Sequence, residues 1–204
     1  MSEMKAKGRR RGRFGPVFGG LAAVFAAVAI YSIAMSKPVL SNPVESKPGQ
    51  APLAAGFQRG RETGLPVPRF VSLKSRQARM RVGPSLDYAT KWIYTAQGLP
   101  MEITEEYGHW RRVRDYAGTS GWMYGALLSG HRSGVIGPWL KATAPLRTEA
   151  EVSAAEIAAL EARVRLTISS CDGKWCHVKL QKHDLSGYVR QGEIWGVYPA
   201  EVVK

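Results

Sequence analysis

The only cysteines, Cys171 and Cys176, are followed closely by His177 and His183. Thiolate and imidazole are zinc ligands, so this cluster is the strongest metal candidate in the chain. Its spacing is not that of a zinc knuckle, and adjacent Cys176 and His177 point to opposite faces of a strand. No metal or cofactor is expected. Aligning Gly173 with Gly108 puts Cys171 where Glu106 stands and Cys176 where Arg111 stands, on opposite arms of one hairpin. In an oxidising compartment such a pair forms a disulfide; in a reducing one it remains two inert thiols.

Other catalytic chemistry is sparse. There is no Gly-x-Ser-x-Gly elbow, no phosphate-binding glycine loop and no His-Glu-x-x-His. Glu102, Glu105 and Glu106 share one strand and turn, and read as a solvated face rather than a general acid and base. His109 and His131 stand alone and read as surface residues. An enzyme is not expected. Recognition is better provided for. Tyr88, Trp92, Tyr94, Tyr107, Trp110, Tyr116, Trp122 and Tyr124 crowd one stretch, with Arg111, Arg112 and Arg114 interleaved. Rings of this kind serve either as a small core and its rim, the reading for Trp122, or as a shelf for an extended peptide.

The elements that must position these groups come in two copies. Residues 108–125 read GHWRRVRDYAGTSGWMYG and residues 173–192 read GKWCHVKLQKHDLSGYVRQG. Each has a Gly-x-Trp turn, an alternating strand, a polar gap and a Gly-aromatic step. In the first copy Met80 and Val82 alternate with Arg79 and Arg81, Met101 and Ile103 with Glu102 and Thr104, and Trp110, Arg112 and Arg114 with Arg111, Val113 and Asp115. Gly83-Pro84-Ser85, Gly98-Leu99-Pro100 and Gly118–Gly121 punctuate them as turns. In the second copy Ala144–Arg147 stands for the Met80-Arg81 strand, and the Gly-Pro-Ser turn is missing. Val152–Leu166 has the Glu, Ala and Leu content of an amphipathic helix, but the repeat downstream calls for strand and loop.

The order Arg81-Val82-Gly83-Pro84-Ser85, Gly98-Leu99-Pro100, Gly108–Val113 and Gly121-Trp122-Met123 resembles the bacterial Src-homology-3 domain family, closest to its exported alphaproteobacterial branch. The resemblance covers about residues 69–200. It implies an all-β chain of two tandem five-stranded barrels, 69–134 and 135–204. It also implies a peptide groove flanked by Tyr88 on the long loop and Trp110 after the hairpin turn, with Tyr124 near the same face. Arg112, on the face of Trp110, is the cationic candidate. The loop carries only Asp87 as an acid, so acidic partners suit the groove better than proline–arginine ligands.

The formal charge of +13 is unevenly spread. Residues 69–134 hold ten bases against five acids, and residues 135–204 nine against eight. The basic flank of residues 1–36 precedes an uncharged apolar run, residues 17–35, long enough to span a bilayer. It reads as an inner-membrane anchor or a signal peptide, and either puts the rest of the chain in the periplasm. Residues 37–68 hold half of the twelve prolines and read as a flexible, disordered linker. Arginines beside exposed rings can grip single-stranded nucleic acid, but the export segment argues against that partner. The expected function is non-enzymatic binding of peptidoglycan stem peptides or envelope protein segments. The alternative is a membrane-tethered scaffold for an envelope complex with no small ligand.

Overall fold

A computed structural model describes residues 53–180 and 183–204. The basic flank and the apolar run 17–35 lie outside the described residues. Among the described residues no helix is long and apolar enough to cross a membrane. The described residues fall within one compact unit. It is all-β: strands joined by turns and two short 3-10 turns.

A short hairpin comes first, β1 (Gln58–Arg59) with β2 (Pro66–Val67). The first module then runs β3 (Arg69–Leu73), β4 (Ala78–Arg81), β5 (Thr90–Tyr94), β6 (Pro100–Tyr107), β7 (Trp110–Arg114), β8 (Ser120–Tyr124), a 3-10 turn at Gly125–Leu127, and β9 (Leu128–Ser129). The second runs β10 (Ser133–Ile136), β11 (Ala144–Arg147), β12 (Glu156–Leu160), β13 (Arg165–Asp172), β14 (Trp175–Leu180), β15 (Ser186–Arg190), a 3-10 turn at Gln191–Glu193, and β16 (Ile194–Trp195). A last strand, β17 (Val202–Val203), pairs with β13.

The two sheets share one topology. Strand order is β5-β4-β8-β7-β6-β3-β9 in the first and β12-β11-β15-β14-β13-β10-β16 in the second. Each has seven strands along its path where five are expected, because the long loop after the opening strand is itself a hairpin. Even the irregularities repeat. Register shifts fall at Ile103/Glu105 and Ile168/Ser170, and at Met80/Arg81 and Leu146/Arg147. Residues 156–160 are strand rather than helix, paired with β11 across the loop 148–155, and a turn with Arg163 at φ +69° leads on to β13.

Alternation explains the cores. Met80, Met101, Ile103, Val113 and Met123 point into the first module, and Leu146, Leu166, Ile168, Val178 and Val189 into the second. Fully burying each such side chain contributes about 1.5–3 kcal/mol. The Gly-aromatic step has a steric cause. A Cβ at Gly121 would lie 2.7 Å from the carbonyl oxygen of Arg81, and one at Gly187 would collide with that of Arg147. The long-loop hairpin crosses β8 and β15 there, and only glycine lets the backbones meet. Asp115 anchors the β7–β8 turn: its carboxylate accepts the N–H groups of Ala117 and Thr119 and the Tyr94 hydroxyl. Burial, then the bond to Asp115, pushes the Tyr94 phenol far above its usual range.

Residues 53–68, expected to end a flexible linker, instead carry the β1–β2 strap on the first module. The cause is Glu106, which is buried rather than solvated. Its carboxylate accepts the Thr63 N–H at 2.9 Å, the Glu62 N–H at 3.0 Å, the Thr63 hydroxyl at 2.7 Å and Arg69 at 2.7 Å. Arg111 lies 3.6 Å away. Glu102 is likewise buried, bonded to Arg114 and to the Tyr198 hydroxyl.

Candidate functional site

The Gly108 turn, with φ near +50°, delivers Trp110 to the start of β7. Register places Tyr124, at the end of β8, directly opposite it. Their rings meet edge to face at 5.6 Å. The β4–β5 hairpin supplies the other wall through Gln77, Arg79, Arg81 and Leu86, and the 3-10 turn supplies Leu127. The result is an open cleft of about 370 Å³. Two guanidiniums line it and no carboxylate does. Arg81 also donates to the Tyr88 carbonyl at 2.6 Å, which pins the tip of the hairpin.

Of the four groove candidates, Trp110 and Tyr124 line this cleft together. Tyr88 stands on the hairpin tip with its ring against Gly83, outside the lining. Arg112 shares the outer face with Trp110 but stands beyond the lining, 3.4 Å from Glu105. That ion pair is half-exposed, which makes it worth at most about 1 kcal/mol. Arg79, Arg81 and Leu86 were not singled out from sequence. The alternation of Arg79 and Arg81 with Met80 was their signal: core methionine inward means arginine outward. Trp122 lies outside the core; it is half-buried on the outer face against Tyr107, and its neighbour Met123 takes the interior.

The same position in the second module is built differently. Trp175 stands for Trp110, and Arg190 replaces Tyr124 with its guanidinium 5.3 Å over the Trp175 ring. Arg147 repeats the pinning role of Arg81 by donating to the Ala154 carbonyl. Glu193, near Arg190 and Arg147, has its carboxyl pushed upward by burial against the pull of those cations. His177 packs on Tyr188 at 5.0 Å. A disulfide joins Cys171 and Cys176, paired residues of β13 and β14. Glu106 and Arg111 are the corresponding pair in the first module. Among the described residues no group of three or more His, Cys, Asp or Glu is placed to hold a metal.

The modules meet through rings. Phe70 packs against Trp195 and Tyr198 at 5.0 and 4.6 Å, and Phe57 of the strap meets Tyr198 at 5.1 Å. The Tyr198 hydroxyl donates to Glu102 at 3.0 Å, and Arg132 pairs with Glu201 at 2.7 Å.

The family described as bacterial SH3 domain matches residues 74–130 and 141–196. No curated protein matches the chain. Among solved structures, NlpC2 from Trichomonas vaginalis is 14% identical, with 63% of this chain and 48% of that one covered and a TM-score of 0.29. An NlpC/P60 family protein from Bacillus cereus is 15% identical, covering 62% and 55%, with a TM-score of 0.27. NlpC1 from Trichomonas vaginalis is 12% identical, covering 70% and 50%, with a TM-score of 0.29. The chain thus spans about half the length of the solved structures it matches.

Proposed function

As the chain belongs to the bacterial SH3 domain family in two tandem copies, we propose that it is a non-enzymatic binding protein of the cell envelope. The observation that carries this reading is the first-module cleft: two facing rings, Trp110 and Tyr124, beside Arg79 and Arg81 with no carboxylate in the lining. Flat rings hold extended chains at low entropic cost, and uncompensated guanidiniums favour acidic ones. Peptidoglycan stem peptides and acidic segments of envelope proteins have that chemistry. The apolar run 17–35 would tether the chain to the inner membrane, with both modules in the periplasm. Release after signal cleavage would leave the modules in the same compartment.

The test is binding of the full-length protein to purified sacculi and to soluble acidic stem peptides. Trp110→Ala removes a central aromatic contact of a kind that typically carries 2 kcal/mol or more, so affinity should fall about thirtyfold. Unchanged binding would end the proposal. A scaffold role without a small ligand is favoured by one observation, the aromatic packing of Phe70 on Trp195 and Tyr198, which joins the modules. That reading predicts no stem-peptide binding, and co-purification of an envelope complex that Phe70→Ala disrupts.

A further inference from the structure

A larger cleft, about 810 Å³, lies between the modules and under the strap. Its walls come from three places: Phe57, Leu65 and Pro66 from the strap, Phe70 and Ile103 from the first module, and Tyr198 from the second. Neither module forms it alone. Its volume lies within the range of pockets that take small ligands, roughly 300–1,000 Å³. The lining contains three guanidiniums, Arg69, Arg111 and Arg132, against the carboxylate of Glu201. Counting buried Glu106, which pairs with Arg69 and Arg111, one positive charge remains in excess. Arg132 pairs with Glu201 and with the Gly196 carbonyl, yet its Nε–H has no partner among the described residues.

We infer that this cleft is a second ligand site, separate from the Trp110 cleft, which takes an apolar peptide end carrying one free carboxylate. The rings of Phe57, Phe70 and Tyr198 form a shelf for apolar and proline side chains, and the surplus positive charge matches a single anionic terminus. Because strap residues form one wall, holding the strap in place is a condition of binding.

The probe is acetyl-Phe-Pro-photoleucine with a free carboxylate, cross-linked to the full-length protein and mapped by mass spectrometry. Labelling should concentrate on residues 53–70 and 198–201. Unlabelled acetyl-Phe-Pro-Leu should compete at least tenfold better than its carboxamide. Leu65 is exposed at the rim, so Leu65→Asp should cut labelling at least tenfold with unchanged circular dichroism, whereas Leu65→Ser should cost only a few-fold. In Trp110→Ala, labelling of this cleft should persist even where binding at the first-module cleft is lost, which separates the two proposals. Absent labelling, labelling confined to residues 77–88 and 124, or equal competition by acid and carboxamide would each overturn the inference. Displacement by laurate at concentrations where the free-acid peptide does not compete would overturn it too, by assigning the site to acyl chains.

Discussion

Replacing Glu106 by Gln should unlatch the strap without unfolding the module beneath it. The side chain is wholly enclosed and accepts from Glu62, Thr63 and Arg69, with Arg111 alongside. Burial alone would raise its pKa, but the Thr63 hydroxyl and N–H, Arg69 and the Glu62 N–H together lower it from 4.5 to about 2. A depressed carboxylate pKa stabilises the folded form above the unfolded value. That contribution is lost as pH falls from about 4.5 towards 2. At about 1.4 kcal/mol per unit, the latch is worth on the order of 3 kcal/mol at neutral pH. Gln keeps one acceptor oxygen and turns an NH2 group towards donors, so it forfeits most of this. Hydrogen exchange at the Glu62 and Thr63 amides should therefore speed up on the order of a hundredfold at neutral pH. Val113 and Met123, buried in the module core, serve as the internal standard. Strap exchange altered less than threefold, or core amides accelerated as much as the strap, would refute the latch.

Three other expectations accompany it. Cys171→Ser, or reduction, opens a loop of sequence separation 5, which chain entropy values at about 2 kcal/mol, so thermal unfolding should drop by roughly 4–8 °C. Gly121→Ala forces a Cβ to within 2.7 Å of the Arg81 carbonyl; the overpacking should cost about 1–3 kcal/mol in denaturant unfolding and weaken the β4–β8 pairing. Arg79→Glu introduces a carboxylate into a lining that has none, so acidic stem-peptide binding should fall at least tenfold and its salt dependence should shrink, while neutral peptides should be affected little.

The strands were legible because core methionines and valines alternate with arginines, the hairpin turns because Gly108 and Gly173 take positive φ, and the strand crossings because Gly121 and Gly187 stand where a Cβ would not fit. The ring pair Trp110 and Tyr124 was legible through the resemblance to the bacterial Src-homology-3 domain family and not through the repeat, which carries Arg190 in place of Tyr124. Glu106 was not: on its own strand it looks like one more surface acid, and Glu62 and Thr63, which bury it, arrive from more than forty residues away in a proline-rich stretch. Packing of Phe70 on Tyr198 was equally hidden, since the partners stand 128 positions apart and each module alone offers a reason for its own ring. Arg79 and Arg81 were visible as outward residues, but that they face Trp110 depends on how the hairpin folds back across β8.

The Glu106–Arg111 and Cys171–Cys176 pairs occupy the same rungs of two equivalent hairpins, yet opposite chemistries break them. Strong acid discharges the first and leaves a disulfide untouched. A thiol reductant opens the second and does nothing to a carboxylate. The two halves of the molecule therefore do not share a weakest point. One hairpin stays fastened under either insult, and only both together release the pair.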